Sequence, residues 1–321
     1  MRFSVIIPAF NAAATLAGCL ESIRSQPFQD CQVLIVDDGS CDETGKIATE
    51  YAGRDPRFRL ITTPHAGTGA ARNRGLEQAQ GEYVLYMDAD DCWRCPDLLE
   101  RLELQLRQGE PDVLMFQMVK TTGDGRVLER YAKPRFRQEN ALLALQDVYA
   151  DLVRDGQSLA SACNKCVRRS LLTEKAIAFR EDVIGEDIDW VLQLFSHAKT
   201  ICLMNLDAYA YTQHKGESRS SRAEAPDDLV GIVCDWADRL ERETLAHAEA
   251  VAGLVAFEYA ICMGSHHRLS RENKRRMRSR VRLLCRGLDR KTKMIRDFCR
   301  VFGYGPTCLA VRVYLRLRRI W

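Results

Sequence analysis

The sequence lacks an apolar run long enough to cross a membrane, which needs about 20 consecutive apolar residues. The nearest candidate, residues 250–264, is interrupted by Glu258 and is better explained as a buried helix. Aromatic residues make up only 8% of the chain. Few aromatic side chains are thus present to stack on bases, and the sequence contains no nucleic-acid-binding motif. We therefore expect no nucleic-acid partner. Residues 1–8 predict a strand rather than a signal peptide.

Two common phosphate-binding signatures are also missing. No Gly-x-Gly-x-x-Gly follows a predicted strand, which argues against a nicotinamide-dependent enzyme. The glycine-rich segment 65–75 lacks the Gly-Lys-Ser/Thr ending of a P-loop, which argues against an ATPase. Any nucleotide must therefore be bound by other means.

The thirteen cysteines do not form the pattern of a disulfide scaffold, since their number is odd and they are scattered through the chain. Cys163 and Cys166 form a lone Cys-x-x-Cys with no second pair, so zinc or redox chemistry is the minor interpretation. We expect a reducing compartment and thiols that act as small core residues.

Charge is distributed unevenly behind a formal net charge of +3. Residues 265–321 carry 18 Lys and Arg against 3 Asp and Glu, whereas residues 1–264 carry 29 against 41. A basic tail with apolar residues at helical spacing indicates an anionic membrane surface as partner. A helical bundle with a solvated basic face is the alternative.

Apolar strand patterns and amphipathic helix patterns alternate in the first hundred residues. This alternation predicts an α/β fold with a parallel sheet across residues 1–115 and helices on both faces. Further helices are predicted at residues 97–108, 139–155 and 187–198, with strands at 112–117 and 200–204. Residues 219–226 have the composition of a linker, and the chain after them is predicted to be helical.

Three carboxylates follow the apolar strand predicted at residues 83–87, namely Asp88, Asp90 and Asp91. In open α/β sheets ligands bind at the carboxyl ends of the strands. Carboxylates this close repel one another unless a cation neutralises them, and oxygen ligands suit Mg²⁺ or Mn²⁺. A polar turn is the competing explanation.

Further candidate binding residues lie at the ends of other predicted elements. Residues 8–11 close the first strand, where Pro8 is expected to end the ladder, and Asp37 and Asp38 close the second. Arg72 lies within the glycine-rich segment and is suited to a diphosphate, while Glu186 and Asp187 open a helix. Acidic residues there are also good helix caps, so turns and caps remain alternatives to a binding role.

Five segments, taken together and in order, resemble the family 2 glycosyltransferases, inverting enzymes with a GT-A fold, of the bacterial surface-polysaccharide type. The segments are Ser4-Val-Ile-Ile-Pro-Ala-Phe-Asn11, Val33-Leu-Ile-Val-Asp-Asp-Gly-Ser40, Gly69-Ala-Ala-Arg-Asn-Arg-Gly75, Gly81-Glu-Tyr-Val-Leu-Tyr-Met-Asp-Ala-Asp-Asp91 and Gly185-Glu-Asp187. The resemblance is dense over residues 3–115, thinner over 160–215, and absent beyond about 225.

The resemblance implies a role for each matching residue. Asp90 would be the direct ligand of Mn²⁺ or Mg²⁺, with Asp88 beside it and nearer the ribose. Asp187, with Glu186 next to it, would supply the catalytic base. The nucleotide-sugar-binding residues implied are Pro8, Ala9, Phe10, Asn11, Asp37, Asp38, Arg72, Asp88 and Ala89.

The implied activity is metal-dependent, inverting transfer of a sugar from a nucleoside-diphosphate sugar, with UDP expected, to a saccharide or lipid-linked saccharide. The implied location is cytoplasmic, peripheral on the inner face of the membrane through residues 265–321. The GT-A domain would cover residues 1–218, with a nucleotide-sugar half at 1–115 and an acceptor half at 116–218, before a basic helical region at 219–321. A catalytically inactive GT-A-like binding protein and a sugar nucleotidyltransferase are the alternatives.

Overall fold

The computed structural model describes residues 1–123, 125–130, 136–157, 159–213 and 225–317. The chain divides into two compact units. The first unit comprises Met1–Leu145, Ala160–Asp182 and His197–His214, and the second comprises Gln146–Leu159, Val183–Ser196 and Lys215–Trp321. The predicted domain boundary at 218/219 falls outside the described residues and stays a prediction.

One mixed sheet forms the centre of the first unit, in the order β3-β2-β1-β4-β9-β6-β10-β5, with β7 beside β6 and β8 beside β10. The described strands are β1 (Phe3–Ala9), β2 (Cys31–Asp37), β3 (Phe58–Thr62), β4 (Tyr83–Tyr86), β5 (Cys92–Trp93), β6 (Val113–Thr121), β7 (Val127–Arg130), β8 (Leu142–Ala144), β9 (Lys165–Arg168) and β10 (Thr200–Thr212).

The first four strands are parallel, as the sequence predicts. Val5 of β1 is in register with Val33 of β2 and with Leu85 of β4. All three side chains are buried. Strands that are covered on both faces consist of continuous apolar runs, which explains why their positions could be predicted.

The prediction that Pro8 ends its strand is wrong by one residue. β1 stays paired with β2 through Ala9 and Asp37, whereas its pairing with β4 ends at Ile6 and Tyr86. The carbonyl of Ile6 accepts the last bond, from Met87 N–H. The backbone groups of Ile6 and Pro8 both point towards β4. Since the pairing with β4 ends before Pro8, the N–H that proline lacks is not needed for a hydrogen bond between the strands.

The other half of the sheet, most of which lies outside the range predicted to be parallel, is mixed. β9 is antiparallel to both β4 and β6, while β6 and β10 are parallel to each other. β5 and β8 are antiparallel to β10, and β7 is antiparallel to β6. The helix predicted at 139–155 is wrong in its first residues, because Leu142–Ala144 pair with β10 instead. The strand predicted at 200–204 continues to Thr212.

Among the described residues, five helices belong wholly to the first unit: α1 (Leu16–Arg24), α2 (Thr44–Arg54), α3 (Thr68–Glu77), α4 (Leu98–Gly109) and α6 (Arg169–Glu174). α3 packs closely on β1, since a Cβ added to Gly75 would lie 2.3 Å from Ile6 Cγ2. Both residues of the Cys-x-x-Cys are buried, and Cys166 lies within the central strand β9. Burial raises the pKa of the Cys166 thiol, which agrees with a core role.

The second unit is helical. It contains most of α5 (Leu145–Arg154) and α7 (Glu186–His197), together with α8 (Ala225–Arg242), α9 (Ala248–Gly264), α10 (Arg271–Ser279), α11 (Arg290–Phe302) and α12 (Tyr304–Leu317). Short 3₁₀ turns lie at His266–Arg268 and Val281–Arg286. α9 is buried on nearly all sides, as predicted for residues 250–264. Among the described residues, no helix is both long enough and apolar enough to span a membrane.

Candidate functional site

The three aspartates predicted as a cluster lie in the turn that follows β4. Asp91 N–H closes this turn on the Asp88 carbonyl at 3.1 Å. The carboxylate oxygens of Asp88, Asp90 and Asp91 come within 4.8 Å of one another. Because β4 is central and parallel to β1, the cluster lies at the carboxyl edge of the sheet, where α/β folds bind ligands.

Asp91 is the buried anchor of this turn. One of its oxygens accepts a hydrogen bond from the Tyr209 hydroxyl at 2.6 Å, and the other accepts from Thr212 N–H at 2.7 Å. The Tyr209 hydroxyl also accepts the Asp88 N–H at 3.2 Å. Burial, followed by the charges of Asp88 and Asp90, raises the pKa of Asp91 well above its usual value. β10 thus holds the turn in place.

Arg72 of α3 orients the carboxylate of Asp88. Its Nη2 donates to Asp88 Oδ1 at 2.7 Å, and its guanidinium lies 4.9 Å from the centre of the Phe179 ring. The arginine is buried and Asp88 is partly exposed. A buried guanidinium that pairs with a carboxylate at one end and stacks on an aromatic ring has little rotational freedom, so the direction of Asp88 is fixed.

The donor set suits a hard divalent cation. Asp91 is buried and both of its oxygens accept hydrogen bonds, so the more exposed Asp88 and Asp90 are the better candidate ligands. Mg²⁺ and Mn²⁺ prefer oxygen ligands, and Mg²⁺ sites in proteins commonly use one or two carboxylates and complete their coordination with substrate phosphates. The geometry of the turn therefore fits the predicted metal.

Asp38 uses its carboxylate to hold the loop before α3. Its two oxygens accept hydrogen bonds from Ala66 N–H and Gly67 N–H, both at 2.8 Å, and Oδ2 lies 2.8 Å from His65 Nδ1. Asp37 caps the next turn by accepting Ser40 N–H at 3.0 Å. Both aspartates are buried. Asp38 therefore acts on this edge by shaping the loop that carries His65.

Phe10 is a large exposed apolar side chain at the end of β1, with 42% of its surface accessible. Its ring stacks on His65 at a centroid distance of 4.0 Å and an interplanar angle of 21°. Asn11 takes a left-handed φ of 48°, and its side-chain oxygen accepts Cys41 N–H at 2.9 Å. The stack leaves an open aromatic face beside the polar strand ends.

The predicted catalytic acids lie in the second unit, in the first turn of α7. Glu186 is buried and accepts Gly185 N–H at 3.1 Å, while Asp187 is partly exposed. Within this unit α8 supports the turn, since Asp228 accepts Ile184 N–H at 3.0 Å and Trp236 Nε1 donates to Asp189 at 2.8 Å. The role of Asp187 as base stays a prediction.

Four contributors to the site were not among the predicted site residues: His65, Phe179, Tyr209 and Thr212. Tyr209 and Thr212 lie about 120 positions from Asp91, and no local pattern couples them. His65 is the first residue of the glycine-rich segment, which gives a weak local signal. Phe179 has none, because only the fold brings it to Arg72.

Comparison with known proteins adds an independent line of evidence. The family model for glycosyl transferase family 2 matches residues 4–172. The chain is 27% identical over 214 residues to EpsJ of Bacillus subtilis, an uncharacterized glycosyltransferase, covering 66% of this chain and 61% of EpsJ. It is 28% identical over 238 residues to TarS of Staphylococcus aureus, a poly(ribitol-phosphate) beta-N-acetylglucosaminyltransferase, covering 73% of this chain and 39% of TarS.

Solved structures agree on the fold. TarS 1–349 of S. aureus in complex with UDP-GlcNAc matches 99% of this chain and 92% of its own, with a TM-score of 0.74 and 22% identity. The mannosyltransferase PcManGT of Pyrobaculum calidifontis, in complex with GDP-Man and Mn²⁺, matches 98% of this chain and 87% of its own, with a TM-score of 0.56 and 19% identity. The predicted GT-A fold is therefore confirmed.

The chain spans less than two thirds of the length of the two curated relatives compared above. Within it, the family model covers more than half of the residues, including β1, β4, the aspartate turn and Arg72. The chain belongs to glycosyl transferase family 2.

Proposed function

We propose that this protein transfers a sugar from a nucleoside-diphosphate sugar to a hydroxyl group of a saccharide or lipid-linked saccharide, with inversion at the anomeric carbon. The observation that carries the proposal is the aspartate turn at the carboxyl edge of the sheet, where Arg72 fixes Asp88 and Asp90 is exposed beside it. UDP is the proposed nucleotide, because the structurally similar TarS 1–349 binds UDP-GlcNAc.

The first unit supplies the proposed donor site. The exposed face of the Phe10–His65 stack offers a surface for the nucleotide base. Asp37 lies at the end of the neighbouring strand, on the side proposed for the base and ribose. Pro8, Ala9, Asn11, Asp38 and Ala89 form the backbone frame of this proposed site.

Asp88 and Asp90 are the proposed ligands of the divalent cation. A bound Mn²⁺ or Mg²⁺ supplies positive charge that stabilises the departing diphosphate. The Mn²⁺ in the PcManGT complex supports this proposal. Arg72 keeps Asp88 aligned, and Asp91 keeps the turn closed. Asp88 and Asp90 are therefore already in place before the donor binds, which avoids the entropic cost of ordering them during binding.

Asp187 is the proposed base for the acceptor. Its carboxylate removes the proton from the attacking hydroxyl, whose oxygen forms the new bond to the anomeric carbon as the bond to the diphosphate breaks. Attack opposite to the leaving group gives inversion. Glu186, buried and bonded to Gly185 N–H, is the second candidate and is proposed to position the turn.

The proposed setting is surface-polysaccharide synthesis on the inner face of the membrane, with residues 265–321 as the contact. The relationship to TarS supports a cell-surface polymer as acceptor class. Residues 318–321 lie outside the described residues. This location and the chemistry are separate proposals, and each has its own test.

A panel of nucleotide sugars tests the activity. Purified protein is incubated with each sugar, Mn²⁺ and saccharide acceptors, and the released products are measured. We expect a UDP-sugar to release UDP in a metal-dependent reaction. Release of pyrophosphate would instead establish a nucleotidyltransferase, and binding without any turnover across the panel would establish an inactive binding protein.

A further inference from the structure

The exposed apolar side chains of the second unit are concentrated on two consecutive helices. On α11, Met294, Phe298 and Phe302 are between 38% and 61% exposed and recur every four residues. On α12, Leu309, Val313 and Leu317 do the same, with exposures from 48% to 79%. Side chains at i, i+4 and i+8 share one face of a helix, so each helix presents an apolar stripe to solvent.

A cationic pocket adjoins the stripe of α12. The pocket has a volume of about 190 Å³ and is lined by His267, Arg268, Arg312 and Arg316, together with Ser265 and small or apolar residues. None of its lining residues is acidic. At 100° per residue, Arg312 and Arg316 project between the buried side of α12 and its exposed stripe. Charge and apolar surface therefore meet along one helix.

The electrostatics of this pocket differ from those of the neighbouring basic helix. Arg276 of α10 and Arg280, which directly follows that helix, are neutralised by Asp235 and Asp238 of α8, with a distance of 2.8 Å in the Arg276–Asp235 pair. In the described part of the chain, by contrast, Arg312 and Arg316 make no ion pair. Burial and the charges of Arg312, Arg316 and Arg268 lower the pKa of His267, as a positive local potential should.

We propose that the α12 surface docks on an anionic membrane, with the pocket taking the phosphate of a lipid headgroup and the stripes of α11 and α12 entering the interface. A soluble phosphate compound would use the pocket but not the apolar stripes. The concentration of exposed apolar side chains beside the arginines therefore favours a lipid. This proposal deepens the membrane contact suggested above and does not depend on glycosyl transfer.

The test measures binding of the full-length protein to vesicles without donor or acceptor. Vesicles of phosphatidylglycerol mixed with phosphatidylcholine are compared with pure phosphatidylcholine, and inorganic phosphate is titrated in a separate arm. We expect at least about tenfold stronger partitioning onto the anionic vesicles. Equal partitioning onto both would overturn the proposal, whatever the outcome of the turnover assays.

Variants separate the pocket from general basicity. The pair Arg312→Gln and Arg316→Gln should lower partitioning about tenfold more than the matched pair Arg282→Gln and Arg286→Gln, which removes the same charge from the exposed side of a 3₁₀ turn. Arg312→Lys with Arg316→Lys should restore most of the binding. Equal losses of vesicle binding in the two Gln pairs would show that the pocket does not bind the lipid phosphate.

The apolar arm uses Val313→Ser with Leu317→Ser, which leaves the charge unchanged. We expect about a tenfold loss of vesicle binding, with unchanged affinity for inorganic phosphate. If these serines bind vesicles as the wild type does while phosphate still occupies the pocket, the ligand is a soluble phosphate and the lipid proposal fails. The melting temperatures of all variants are also measured, because arginines near the end of a helix can stabilise it through the helix dipole. Unchanged melting temperatures show that a loss of vesicle binding does not come from a loss of stability.

Discussion

The aspartate turn of the first unit and the α11–α12 helices of the second unit organise charge in opposite ways. In the turn, buried partners hold the acids, because Tyr209 and Thr212 N–H bind Asp91 and Arg72 binds Asp88. On α12, the arginines lie at the surface beside exposed apolar side chains. The first arrangement suits a small ligand that needs fixed geometry, and the second suits a broad, fluid surface.

The largest effect should follow from removing the exposed acid of the turn. Asp90→Ala should lower turnover on a nucleotide sugar by about 1,000-fold, because a metal contributes several kcal/mol of charge stabilisation in the transition state. Initial rates of nucleoside diphosphate release measure this. Asp30→Ala, at the opposite edge of the sheet, is the control and should keep nearly full activity.

Asp187→Asn should be the next most severe change. The amide cannot accept a proton, so turnover should fall by about 100-fold or more, while calorimetry should find donor affinity nearly unchanged. Near-normal turnover would remove Asp187 from the mechanism. Glu186→Gln then becomes the informative variant, since that carboxylate is the second candidate.

Glu258 on α9 is a buried acid, so it allows buried and exposed charges to be compared within the helical unit. Burial raises its pKa to about 7. The folded protein therefore holds a proton that the unfolded chain releases above about pH 4.5. Its contribution to stability is present below that pH and is lost as the pH rises through about 7.

The measurement is the free energy of unfolding as a function of pH. Between pH 5 and 8, Glu258→Gln should gain about 3 kcal/mol relative to the wild type, since each pKa unit corresponds to about 1.4 kcal/mol. Glu249→Gln on the same helix is exposed and should follow the wild-type curve. If the free energies of unfolding of Glu258→Gln and the wild type change in the same way with pH, the raised pKa of Glu258 is contradicted.

Tyr209→Phe should have a smaller effect, on the anchoring of the turn. Loss of the hydroxyl leaves Asp91 with one hydrogen bond and the Asp88 N–H without its acceptor, which should cost about 1–3 kcal/mol. Urea unfolding measures it. Tyr51→Phe removes a surface bond to the Ala17 carbonyl and should cost under about 1 kcal/mol. Equal costs would mean that the turn does not depend on β10.

The two halves of the sheet also differ in how far they follow from sequence. β1, β2 and β4 are buried apolar runs with polar residues near their carboxyl ends, so these strands and the positions of Asp37, Asp88 and Asp90 could be predicted. β9 could not, because Lys165-Cys-Val-Arg168 is short and charged at both ends. Its place between β4 and β6 is decided by long-range pairing, which leaves no periodic pattern in the sequence.

The distinction between Asp90 and Asp91 shows the same limit within the site. Both aspartates follow β4, and residue type alone does not separate their roles, although the family resemblance implies Asp90 as the cation ligand. Only the fold brings Tyr209 and Thr212 to Asp91, which makes it an anchor and leaves Asp90 exposed. Residue type predicts the chemistry of a cluster, whereas long-range contacts assign the individual roles.

Calorimetric titration of UDP into the wild-type protein, with Mn²⁺ and then with EDTA, tests the central claim most directly. We expect affinity to be at least about tenfold higher with Mn²⁺, and Asp90→Ala to abolish this difference. Equal affinity in the two conditions would contradict the claim that these aspartates hold a cation against the diphosphate.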